Sequence, residues 1–217
     1  YGLTTAYGST ATAAPSPVSG STNTAVSATM AGLQPSKTYH YRVRGVSAGG
    51  TSLGVDATFT TTSNVATLSG LVLSTGALTP AFAGATTSYT RTEPAATASL
   101  TVTPTASNPN ATVTVNGEPV ASGGARPVIA LSPGLNTITV QVSAQDGVTT
   151  KTYTVNVTRL EANAVATFGA TNVTAVGAKL NGTINAHNTS TAASFEYGTT
   201  VAYGKSAAAT PSTVTGS

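Results

Sequence analysis

The chain has 217 residues, of which 40% are hydrophobic and only 7% charged, with 22 Gly, 11 Pro, no Cys, no Trp and a formal net charge of +3. That composition excludes a coiled coil, and no apolar run approaches the roughly 20 residues that a membrane-spanning helix needs. Nine Lys and Arg scattered along the chain do not make a nucleic-acid footprint, so no nucleic-acid partner is expected.

Thr, Val and Ala abound while Glu, Lys and Arg are scarce, which favours strands over helices and predicts an all-β chain. In chain order, strands are expected at 25–30, 38–47 and 54–60. Alternation in TYHYRVRGV puts Tyr39, Tyr41 and Val43 on a packing face and His40, Arg42 and Arg44 on a polar one. Residues 68–159 read as a run of alternating blocks, each closed by turn residues. Within it Val113 and Val115 oppose Thr112, Thr114 and Asn116, Ile138, Val140 and Val142 share a face, and Tyr153, Val155 and Val157 share another. Further strands are expected at 171–176, 179–185 and 193–197, with short hinges at 62–67 and 160–167. Asp146 and Gly147 read as a two-residue hairpin loop, in which both positions take positive φ.

Sliding the chain against itself exposes a repeat, because YGLTTAYG at the start recurs as YGTTVAYG at an offset of 196. Tyr1, Gly2, Thr4, Ala6, Tyr7 and Gly8 align with Tyr197, Gly198, Thr200, Ala202, Tyr203 and Gly204. The register continues through Pro15 with Pro211, Val18 with Val214, and Gly20 and Ser21 with Gly216 and Ser217. The two ends are therefore expected to be pieces of one domain type: residues 1–62 the C-terminal part of one sandwich, 63–160 a complete central sandwich and 161–217 the N-terminal part of the next. The opening residues lack the basic start and apolar stretch of a signal peptide, and the chain reads as a window on a longer tandem protein. Completion of the end pieces by a longer chain is favoured over strand donation in trans, since both ends would bring the same strand region to one slot.

Leu33, Pro35 and Tyr39 in GLQPSKTYHY match the L-x-P-x-x-x-Y corner of fibronectin type III domains, and FEYGTTVAYG resembles the third-strand region of bacterial members of that family, with Tyr197, Gly198 and Tyr203 carrying the turn. That resemblance implies a structural tyrosine at position 39. The family's core Trp is missing, so Phe195, Tyr41 or another bulky residue is expected to fill its volume. The middle of the chain resembles the bacterial cadherin-like β-sandwich repeat, through Leu68, Leu71, Leu73, Gly76, Leu78, Pro80, Phe82, Asn116, Gly117, Gly134, Asn136, Asp146, Gly147 and Tyr153. Together the two resemblances imply tandem immunoglobulin-like antiparallel β-sandwiches.

Chemistry is sparse. His40 and His187 are the only groups with an ordinary pKa near neutrality, no G-x-S-x-G elbow is present, and no catalytic residue is assigned. The six carboxylates Asp56, Glu93, Glu118, Asp146, Glu161 and Glu196 are too dispersed for calcium, with Glu161 near a hinge the one position to check, and two distant His without Cys favour zinc still less. No metal and no cofactor are expected. Tyr1, Tyr7, Tyr197 and Tyr203 suggest a sugar platform, but their spacing around single turns leaves too little flat surface. Asn110, Asn156, Asn172, Asn181 and Asn188 head glycan-acceptor triplets. The expected role is a structural or adhesive repeat unit of a long extracellular bacterial surface protein, with copies of itself head to tail as partners and cell-surface or polysaccharide targets as further ones. The alternative is a spacer or carbohydrate-binding accessory module of a secreted polysaccharide-degrading enzyme.

Overall fold

The computed structural model describes residues 1–187 and 189–215, and among these the regular structure is entirely strand. Seventeen strands form one five-stranded sheet and six two-stranded ribbons, nearly all antiparallel. The chain divides into two compact units, one of residues 1–70, 104–124 and 140–152, the other of residues 71–103, 125–139 and 153–217.

In the first unit, β1 (Thr38–Tyr41) pairs with β4 (Ala57–Thr60) so that Tyr39 lies opposite Phe59, while β2 (Arg44–Ser47) and β3 (Gly50–Leu53) form a separate exposed hairpin. The expected strand 38–47 is thus interrupted at Arg42 and Val43, and the expected strand 54–60 begins only at Ala57. Of 25–30, only Ser27 makes a bridge, to Ala14. Tyr39 is buried and stacks on Phe59 at 5.7 Å, and Tyr41 is 42% exposed with its edge toward the same ring. Tyr39 and Phe59, which the register places face to face, form the aromatic centre of this ribbon.

β9 (Thr112–Val115) turns into β10 (Glu118–Val120) through Asn116 and Gly117 at φ 51° and 84°, the paired positive angles that a two-residue hairpin demands. β12 (Gly134–Ser143) pairs with β9 over Val140–Ser143, bringing the buried Val113, Val115, Val140 and Val142 to one face. The loop from β12 to β13 (Thr150–Arg159) spans six residues, 144–149, not two. Gly147 alone takes positive φ, at 73°, and Asp146 accepts bonds from Val148 N–H (2.9 Å) and Thr149 N–H (2.8 Å). A side chain that caps the loop from inside does the work expected of a left-handed Asp, which is why the longer loop is stable.

The second unit holds β6 (Ser88–Glu93), parallel to β13 from Thr154↔Ser88 to Arg159↔Glu93. The full sheet order is β10-β9-β12-β13-β6; β5 (Leu68–Leu73) with β8 (Val102–Ala106), and β7 (Ser99–Leu100) with β11 (Ile129–Ala130), make two small ribbons. Tyr89 and Tyr153 are fully buried, each within 6.5 Å of Phe82, and Tyr153 Oη donates to Gly84 C=O at 2.9 Å. Burying such rings stabilises by about 1.5–3 kcal/mol apiece.

Beyond Leu160, β14 (Ala164–Thr171) pairs with β15 (Lys179–Asn185), and β16 (Ser190–Tyr197) with β17 (Lys205–Thr215). β14 starts within the expected hinge, and of the expected strand 171–176 only Thr171 lies in a strand, the rest forming a turn: Asn172 takes φ 52° and Thr174 N–H donates to Gly177 C=O at 2.7 Å. β-branched composition misled there, because Asn172 and Gly177 fix a reversal. Between the two ribbons lies an open cavity of about 1090 Å³ lined by Val165, Phe168, Leu180, Ile184, Phe195 and Val214, and β14 is exposed along its whole length.

Candidate functional site

Four residues from three separate stretches of the sequence, Tyr7, His40 with Arg42, and Asp56, converge in the first unit. β1 presents His40 outward between the packing residues, Arg42 follows just past its end, and Asp56 directly precedes β4. Gly2 bridges His40 through two main-chain bonds, Gly2 N–H to His40 C=O at 3.0 Å and the reverse at 2.8 Å. That bridge lays the opening turn of the chain across the ribbon. Tyr7 Oη then donates to Asp56 Oδ1 at 2.8 Å, His40 Nδ1 lies 2.8 Å from Asp56 Oδ2, and the Arg42 guanidinium stands 4.3 Å over the Tyr7 ring. A carboxylate only accepts, so His40 Nδ1 carries the proton in this arrangement.

The electrostatics follow from those contacts. Hydrogen bonds from His40 and then Tyr7 hold the Asp56 carboxyl below its ordinary pKa, while desolvation and then the bond to Asp56 push the Tyr7 phenol above its own. Asp56 thereby acts as a double acceptor joining the turn to the ribbon. Tyr7 itself sits at φ 62°, a left-handed angle held by the turn bond from Tyr7 N–H to Thr4 C=O at 2.9 Å.

Beneath this latch is the tyrosine corner. Gln34 N–H donates to Tyr39 Oη at 3.0 Å, across the bend that carries half-buried Leu33 and exposed Pro35. The Tyr1 ring lies 6.5 Å from Tyr39, so the corner and the latch share one aromatic support.

In the second unit the repeated turn has the same backbone. Tyr203 takes φ 55° and Gly204 φ 89°, against 62° and 91° at Tyr7 and Gly8, and Tyr203 N–H donates to Thr200 C=O at 3.0 Å. A Cβ on Gly2 would lie 1.6 Å from Tyr7 O, and one on Gly198 1.8 Å from Tyr203 O. Only glycine closes either turn. Tyr197 and Tyr203 are 43% and 52% exposed.

The remaining polar groups serve local structure. Buried Glu93 accepts from Thr75 Oγ1 and from Arg91 Nε at 2.8 Å; burial raises its pKa, but those bonds and the Arg91 charge outweigh it and the net shift is downward. Glu161 pairs with His187 at 2.5 Å, and His187 takes φ 42°. Among the described residues no three His, Asp or Glu side chains gather as metal ligands. Asp146 is held below its ordinary pKa by the bonds from Thr149 and Val148. Asn188 of the last acceptor triplet and Gly216 and Ser217 of the repeat lie outside the described residues.

Fold and site define an all-β protein whose distinctive polar cluster ties a loop to a two-stranded ribbon. Residues 63–160, just under half of the chain, match the model of the Cadherin-like family, described as a cadherin-like beta sandwich domain. Such a domain fits a structural or adhesive module. No curated protein matches the chain. Among the described residues, no helix is long and apolar enough to cross a membrane.

Sequence reasoning placed His40 and Arg42 together on a polar face but did not connect them to Tyr7 or Asp56. Tyr7 and Asp56 are 49 residues apart, and no local motif joins them. The usable signal was the polar stripe of β1 itself, which needed an acidic partner.

Proposed function

We propose that this chain is a non-catalytic structural or adhesive repeat of an extracellular bacterial surface protein, in which fibronectin type III-like modules alternate with cadherin-like ones. One observation carries the reading: the same Tyr-Gly turn, alike in sequence and backbone, recurs at an offset of 196 residues, with the cadherin-like segment 63–160 between its copies. Recurrence of that kind is how an array lengthens, since each module buries its own core and the next needs no new interface. The copies of itself expected as partners follow from the same logic.

At about 3.3 Å per strand residue plus loops, a sandwich runs roughly 35–40 Å, and one period of two modules roughly 70–80 Å. Negative-stain images of the protein from its native source are expected to contain long threads with an axial repeat in that range. Monodisperse globular particles would contradict the reading.

A further inference from the structure

Within the second unit, β6 and residues 153–159 of β13 sort their side chains by parity. The odd positions turn inward, with Tyr89, Tyr153, Val155 and Val157 fully buried. Every charge on these two stretches has that parity too. Arg91 pairs with Glu93, and the Arg159 guanidinium donates to Ala95 C=O at 2.6 Å and to Leu131 C=O at 2.8 Å. The even positions carry no charge. Their register sets Thr158 beside Thr92, Asn156 beside Thr90 and Thr154 beside Ser88. Thr137 of β12 extends the middle row, its Oγ1 donating to Asn156 Oδ1 at 3.2 Å, and Thr90 Oγ1 donates to Thr79 C=O at 3.2 Å on the far side. The outward face is thus a grid of hydroxyls around one amide, roughly 4.8 Å across the strands and roughly 6.7 Å along them. Ser88, Thr92 and Thr158 are exposed, and among the described residues their hydroxyls bond to no other protein group.

We propose that this face is a docking surface for a neutral, extended polysaccharide chain lying along β13. The inference rests on the repeat-unit reading and names the class of partner that an adhesive copy holds. Charge selects it first. A face without cations gives no hold to an acidic glycan, a nucleic acid or an anionic membrane. Desolvation selects it next. A second copy of the same face would cover hydroxyls with Thr methyls, and a hydroxyl buried without a partner is costly. A sugar ring instead brings its own hydroxyls, each both donor and acceptor, while its C–H groups lie on the methyls.

Shape narrows the choice further. Neighbouring strands of a sheet are turned by roughly 20–25° relative to one another, so a single flexible chain follows the grid better than a rigid lattice does. Each hydrogen bond of this kind adds little in water, and one module is expected to bind on the order of millimolar. Copies in tandem raise that affinity through effective concentration, which is what repetition supplies to a weak site.

The test is NMR titration of the intact chain with three neutral probes in turn, cellohexaose, laminarihexaose and mannohexaose, at millimolar concentration. At least one is expected to shift the amides of Thr90, Thr92, Asn156 and Thr158 saturably, while oligogalacturonate, an acidic chain, leaves them in place. Thr92→Ala together with Thr158→Ala is expected to weaken binding about tenfold. Both positions are exposed, so the variant keeps its fold. Ser52→Ala, on the exposed β2–β3 hairpin, is expected to change nothing. No saturable shift on the face with any of the three neutral chains, an equal response to oligogalacturonate, or unchanged affinity in the double variant overturns the proposal. Face shifts that grow with protein concentration in the absence of sugar overturn it as well, because a second copy then fills the face. Any such failure leaves the repeat-unit reading standing, since threads in native material are judged separately by imaging.

Discussion

Two turns of nearly the same sequence, Tyr1–Gly8 and Tyr197–Gly204, take the same backbone and meet different surroundings. The first is bound through Gly2 to His40 and through Tyr7 to Asp56. The second leaves both of its tyrosines about half exposed. The difference teaches that glycine placement and the Thr-to-Tyr bond fix the shape of this turn by themselves, and that the ribbon adds only its anchorage.

The strongest perturbation calibrates the rest and lies outside both turns. Tyr153 is fully buried against Phe82, so Tyr153→Ala is expected to cost about 3–5 kcal/mol in urea unfolding. Tyr203→Ala, at a half-exposed ring, is expected to fall within about 0.5 kcal/mol of wild type. Equal losses would mean that the second turn is packed more firmly than its exposure indicates.

Acid separates the two turns next. Asp56 has a folded pKa depressed below its ordinary 3.8, so its contribution is complete above that value and is lost as pH falls through the depressed one. Tyr7 has a folded pKa raised above 10.0, so its contribution is complete below 10.0 and is lost as pH rises through the raised one. The first turn is therefore expected to loosen on both sides of a broad neutral window, followed by the ring resonances of Tyr1 and Tyr7, while those of Tyr197 and Tyr203 keep their positions in acid. Buried Glu93 and loop residue Asp146 carry the same sign as Asp56, which makes the segment around Thr75 and Arg91 and the loop 144–149 further acid-sensitive places.

The smallest effect is the most selective. Tyr7→Phe deletes one hydroxyl–carboxylate bond and is expected to raise amide exchange at Gly2 several-fold, whereas Tyr203→Phe is expected to leave exchange at Gly198 unchanged.

The central strands were legible in the sequence because one face of each is buried and period-two alternation records that burial directly. Val113, Val115, Ile138, Val140, Val142, Tyr153, Val155 and Val157 all emerge in the core. Tyr39 was legible through its corner motif. The flanks were less so, for a physical reason: β14 is exposed along its whole length, so nothing in its pattern distinguishes it from a linker, and the β-branched stretch 171–176 suggests a strand where the chain turns after Thr171. The break at Arg42 and Val43 was hidden because alternation continues through a chain that changes partners there. The Tyr7–Asp56 bond spans 49 residues and left no local trace.

Amide hydrogen exchange at Gly2 and Gly198, resolved by NMR in one sample of the intact chain at neutral pH and low micromolar concentration, tests the comparison most directly. Slow exchange at Gly2 beside fast exchange at Gly198, with similar rates at Tyr7 and Tyr203, is the predicted result. Equal protection at the two glycines would contradict it.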